Sequence, residues 1–133
     1  MRHFTPEEAN AELEHVRPLV EQLVATRLEH TAALERQEEL ETKIRGNGGG
    51  IPPAELAQAT AEVDAVARRL ARLVDEITEH GAQVKDLDSG LVDFPALHEG
   101  ETVLLCWQLG EDEIAWWHRE EDGFAGRRPL PLD

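Results

Sequence analysis

The sequence predicts a mainly α protein of the α+β kind, a long antiparallel α-helical hairpin with a small C-terminal β-hairpin module. Three observations carry this expectation. From Leu56 to His80, the positions Leu56, Ala59, Val63, Val66, Leu70, Leu73, Ile77 and His80 alternate spacings of three and four. Such spacing places seven apolar side chains and one histidine on a single helical stripe. A glycine-rich break, Gly46-Asn47-Gly48-Gly49-Gly50, separates this stretch from an earlier helical pattern. Beyond Gly81 the apolar period shortens to that of extended runs.

The first helix starts at Thr5-Pro6-Glu7-Glu8. Thr5 suits the cap, Pro6 the first helical position where no donor is needed, and Glu8 the far side of a capping box. Phe4 is placed as a hydrophobic staple. Leu13, Val16, Val20, Leu23, Val24 and Leu34 then share a face that suits the Leu56 stripe. Pro18 removes a donor and crowds the preceding turn, which predicts a kink or a break near Val16 to Pro18. Arg27 and His30 lie on or beside the inward stripe and are read as packed stems with polar ends in water. Pro52 and Pro53 restart the chain, and so short a connection makes segments 5–45 and 53–80 antiparallel neighbours. The connection lacks a Gly-Lys-Ser/Thr ending and follows a helix, so it reads as a turn and not a phosphate loop. Gly81 suits the C-cap of the second helix.

Residues 84–133 form the module. Val84 to Leu87 and Leu91 to Phe94 are candidate strands around an Asp88-Ser89-Gly90 turn, and Pro95 is expected to end the run. Thr102 to Leu109 and Glu113 to His118 are the clearest strands, joined through Gly110-Glu111-Asp112. The tail 122–130 has little room for regular structure. Period two puts Val103, Leu105, Trp107 and Leu109 on one face, with Leu104, Cys106 and Gln108 on the other. If the loop holds an even number of residues, the Trp107 face also carries Ile114, Trp116 and His118.

At 133 residues the chain suits a single domain, spanning 1–133. A formal net charge of −15 would repel phosphates, which argues against nucleic-acid and anionic-membrane partners. No apolar run approaches the ~20 residues that span a bilayer. Cys106 is the only cysteine, so no intrachain disulfide forms, and a cytoplasmic address is the expectation.

Candidate chemistry collects in the module, where twelve acidic residues face four basic ones between Val84 and Asp133. His118 with nearby carboxylates could hold a divalent metal, although HExxH and CxxC patterns are absent. Cys106 reads as a strand-buried thiol, since a nucleophile needs a base in reach and a lowered pKa. Arg127 and Arg128 could hold an anion or pair with the local acids. The antiparallel hairpin also brings His15 and His80 to the same end of the rod, where they read as ordinary surface histidines.

Several short words of sequence carry a resemblance. They are Phe4-Thr5-Pro6-Glu7-Glu8-Ala9-Asn10, Lys85-Asp86-Leu87, Gly90-Leu91-Val92-Asp93-Phe94-Pro95, Leu105-Cys106-Trp107, Gly110-Glu111, Trp117-His118 and Gly123-Phe124-Ala125-Gly126-Arg127. Together they resemble the uncharacterised prokaryotic domain of unknown function 2203 family, over nearly the whole chain. The resemblance implies a small bacterial protein of this architecture and transfers no catalytic residue. It directs attention to Asp86, Asp93, Trp107, His118 and Arg127 as candidate ligand-binding residues, with metal and cofactor unassigned. Leu19 and Leu28 flank the stripe of the first helix on opposite sides and widen its apolar face beyond one partner's cover. The expected function is therefore an interaction module that self-associates through its helices into a dimer or bundle. The alternative is a small-molecule or divalent-metal-binding protein, or an enzyme, with its site around Asp93, His118 and Arg127.

Overall fold

The computed structural model describes residues 1–47 and 50–133, with Asn47 in its backbone alone; the centre of the expected turn, Gly48-Gly49, lies outside the described residues. Helix α1 runs Pro6–Asn47 and helix α2 runs Pro53–Glu79. The capping box forms as expected. Thr5 N–H donates to Glu8 Oε1 over 2.8 Å, and Glu8 N–H donates to Thr5 Oγ1 over 3.1 Å. The Thr5 amide is the larger influence holding the Glu8 carboxyl below its ordinary pKa. At the end of α2, Gly81 N–H reaches Thr78 O and Ala82 N–H reaches Ile77 O, a Schellman pattern. Gly81 takes the left-handed conformation this closure needs, at φ 92°.

Pairs between the helices fix their direction: His80 with Glu12, Arg69 with Glu29, and Gln37 with Thr60. As one number rises the other falls, so the helices are antiparallel. The α2 stripe packs as its spacing dictates, with Ala59, Val66, Leu70 and Ile77 buried. Pro18 lies inside one continuous α1, so the helix does not break there. Its missing donor falls on the exposed side, where the orphaned carbonyl of Glu14 can meet water. Leu34 does not join the inward face; it is 40% exposed, while Ala33 and Leu40 are buried at 8% and 6%. The three–four alternation passes through Ala33, and Leu34 is turned about 100° from it.

The module is larger than a hairpin. Strands β1 (Gln83–Asp86), β2 (Leu91–His98), β3 (Glu101–Gln108), β4 (Trp116–Arg119) and β5 (Arg128–Pro129) form one antiparallel meander in chain order. In the tail, a single 3₁₀ turn spans Phe124–Gly126. The β2 run continues through Pro95 rather than ending there. Pro95 turns its carbonyl away from β3, where it accepts from Phe4 N–H over 2.7 Å. Its missing N–H lies on that same open side, so the ladder loses nothing. The β2–β3 hairpin turns at Glu99-Gly100, with φ of 52° and 80°, the pair of positive values a type I′ turn requires.

Strand β4 starts at Trp116 rather than Glu113 because α1 holds the loop before it. Asn10 takes both backbone groups of Ile114, and Arg17 reaches the carbonyls of Glu111 and Asp112. Nine residues, 107–115, lie between the paired Cys106 and Trp116. That number is odd, so the expected face assignment reverses for Trp116 and His118, while Ile114, ahead of the strand, still joins the core with Trp107. Trp117 joins Val103, Leu105 and Trp107 against the helices, while Trp116 and His118 turn outward with Leu104 and Cys106. One core therefore joins Leu13, Val16, Val20 and Leu23 of α1 and Leu70 and Ile77 of α2 to the inner face of the sheet. Among the described residues, no helix is long and apolar enough to cross a membrane.

Candidate functional site

The outward face of the sheet carries a polar cluster built from one residue per strand. Asp93 comes from β2, Cys106 from β3 and His118 from β4. Asp93 and Cys106 oppose each other across the ladder, and His118 stands one step along, opposite Leu104. All three are buried, Asp93 to 2% exposure, His118 to 3% and Cys106 to 0%. Above Asp93 and His118 opens a pocket of about 200 Å³, walled by Leu91, Leu104, Gly123 and Phe124, with Lys85 and Glu120 alongside.

Hydrogen bonding fixes the histidine ring. His118 Nδ1 lies 2.8 Å from the carbonyl oxygen of Arg119, which only accepts, so Nδ1 carries a proton. Nε2 faces Asp93, 3.3 Å from Oδ2 and 3.4 Å from Oδ1. Burial, and then the negative charge of Asp93, push the Cys106 thiol up to about 12. Cys106 is therefore a protonated thiol at neutral pH, as the strand-buried reading expects. The geometry also disfavours a nucleophilic relay. Asp93 sits on the nitrogen a base would need for the thiol, and the other ring nitrogen is committed to the backbone.

Of the five residues singled out from sequence, Asp93 and His118 converge and Arg127 stands beside them. The Arg127 guanidinium donates to Glu111 Oε1 over 2.7 Å and lies over the rings of Trp116 and Phe124, at 5.2 and 4.5 Å. It also approaches the Cys106 carbonyl at 3.4 Å, so it fastens the 124–126 turn to the sheet next to the pocket. Asp86 stands apart as a turn builder, accepting from Ser89 Oγ and Asp88 N–H. The Ser89 hydroxyl is the first cause holding its carboxyl below the usual range. Trp107 is in the helix-facing core, with its indole N–H on the Glu111 carbonyl at 3.0 Å.

Sequence reasoning did not single out Glu111. Its carbonyl accepts from Trp107 and Arg17, and its carboxylate from Gln108 N–H and Arg127. The available signal was an acid inside the Gly110-Glu111 word close to a strand tryptophan. The sequence marks Cys106 as a buried strand residue but not as a neighbour of Asp93, because that pairing depends on the strand register. His15 and His80 do come together, their rings stacked at 5.7 Å, with His80 Nδ1 2.7 Å from Glu12. This contact ties the helices together at the end near the sheet.

No curated protein and no solved structure matches the chain. A family model does match, over residues 2–130, and the words that suggested it now have physical roles: Asn10 and Glu111 hold the loop, while Asp93, Cys106 and His118 form the cluster. The chain thus belongs to the family described as uncharacterized conserved protein (DUF2203).

Proposed function

We propose that this protein binds a small ligand in the pocket on the outward face of its sheet, over Asp93 and His118. One observation carries the reading: two ionisable side chains, 2% and 3% exposed, meet at the floor of an open pocket. Burying such groups is unfavourable unless something compensates them, and convergent polar groups in a concavity mark a binding site. Size narrows the ligand. A volume of about 200 Å³ falls below the ~300–1,000 Å³ of drug-sized sites, which favours an ion or a compound of few atoms.

The test is thermal unfolding and tryptophan fluorescence against divalent ions, phosphate, small carboxylic acids and amino acids. Trp116, beside Arg127, supplies the optical signal. A true ligand at a hundred times its Kd stabilises the wild type by about 2.7 kcal/mol. Leu104→Trp, which fills the pocket, removes that gain. A wild type unmoved by every member of the panel overturns the proposal.

Self-association through the helices is the second reading, favoured by Leu28, which is 69% exposed on α1. Leu28 and Leu34 stand about 120° apart around the helix, so they make no common stripe, and this weighs toward the pocket. Light scattering decides it: a strict monomer at working concentration removes the assembly reading.

A further inference from the structure

We infer that the ligand of this pocket is a divalent transition metal of the zinc class, held by Asp93, Cys106 and His118; this rests on the pocket reading above. Three adjacent strands each present one donor, a carboxylate oxygen, a sulfur and an imidazole nitrogen, all within 4.8 Å of one another. Among the described residues, this is the one cluster of three or more such side chains.

Two distances carry the inference. The first is 2.8 Å from His118 Nδ1 to the Arg119 carbonyl, which puts a proton on Nδ1, so that in the neutral ring the lone pair is on Nε2, the nitrogen that faces Asp93. A ring nitrogen held by an outer hydrogen bond in this way is the usual arrangement of a metal-ligating histidine. The second is the separation of Nε2 from the Asp93 oxygens, 3.3 and 3.4 Å. A charge-assisted hydrogen bond would draw these atoms to about 2.7–2.9 Å. Two donors at a tetrahedral angle on one ion, with bonds of about 2.0–2.1 Å, stand roughly 3.4 Å apart. The observed gap matches the second arrangement. With a metal–sulfur bond near 2.3 Å, the sulfur stands roughly 3.6 Å from the other donors of such a site, and the three donor atoms already lie within 4.8 Å of one another.

The donor set also selects the ion. A sulfur ligand and an imidazole disfavour magnesium and calcium and suit zinc, cobalt or ferrous iron. Coordination needs the thiolate, so one proton leaves Cys106 for solvent as the metal binds. Thiolate and carboxylate together then neutralise the dication, which leaves no net charge in the buried site. Three protein donors leave a fourth position, and the pocket over Asp93 and His118 gives it an opening. That is the pattern of a site meant to receive an outside ligand rather than of a closed structural one.

Untagged protein is titrated with Co²⁺ and followed by calorimetry and absorbance. One ion per chain is expected, with a thiolate-to-cobalt charge-transfer band and the strong d–d absorption of a four-coordinate site. Cys106→Ser, its fold checked by far-UV circular dichroism, loses the band. It also weakens binding by more than the roughly 10–100-fold that loss of an outer hydrogen-bond partner costs. His15→Ala, outside the cluster, changes neither. The wild-type titration is decisive by itself: no binding, or binding without the thiolate band, overturns the inference. So does a His118 ring that NMR finds doubly protonated against Asp93 and unchanged by cobalt. If an organic member of the panel stabilises the wild type while cobalt does not, the metal falls and the pocket reading stands. If nothing binds, both fall.

Discussion

Gly81 sits where a methyl group would lie 2.5 Å from the Cζ atom of Phe4, at a backbone angle of φ 92° that side chains disfavour. Gly81→Ala therefore combines strain with a collision, and urea melts are expected to show a loss of more than about 1 kcal/mol. Asn10 makes a similar single-residue wager. Its side chain satisfies both the N–H and the C=O of Ile114, so Asn10→Ala strands two backbone groups. The expected loss is about 1–3 kcal/mol, together with faster hydrogen exchange at the Ile114 amide. Cys106 gives a pH signature in the metal-free protein. Its thiol ordinarily titrates near 9.0 and is raised to about 12 in the fold. Between those values the unfolded chain holds fewer protons than the folded one. The thiol's contribution is thus whole below pH 9.0 and lost as pH rises toward about 12. The slope is at most about 1.4 kcal/mol per pH unit, and Cys106→Ser removes this component from a pH series of melts. Iodoacetamide labelling at pH 8 should be slow until the protein unfolds.

Elements explain what could be read in advance. The helices were legible because their signals are local: a cap, a three–four alternation, a glycine stop. Pro18 is the exception, a breaker tolerated within α1 because the packing of Val16 and Val20 on either side outweighs it. Pro18→Ala restores a donor, and the unfolding free energy is expected to rise by up to about 3 kcal/mol in denaturant titration. The sheet was legible only in part. Whether a proline ends a strand depends on which side of the ladder it faces, and nothing near Pro95 in sequence announces the Phe4 amide that meets it. The faces of β4 depend on the length of a loop clamped by Asn10 and Arg17, which stand about a hundred positions earlier. Asp93 and His118 were therefore visible as chemistry but not as neighbours. Trp107 and Asp86, equally conspicuous in sequence, went to core and turn.

On the scale of the whole molecule, the helices outrun the sheet they cover. At 42 residues α1 is about 63 Å long, whereas an eight-residue strand spans roughly 27 Å. The near half of the pair is a two-layer core, and the far half, around Leu40 and Leu56, is two helices alone. Hydrogen exchange should rank them accordingly, with amides of Leu13–Leu23 and Leu70–Ile77 slower than those of Ala33–Leu40 and Leu56–Val63. Both borders of the sheet, meanwhile, are short, with β1 only four residues long. The Phe4 amide occupies the β2 border where β1 leaves it, and on the far side β5 is two residues long and ends in Pro129. A visiting peptide or a sister molecule finds only a short ribbon to line up against. The longer surfaces are the projecting rods and the small well that Phe124 overhangs, where the proposed ligand has its door.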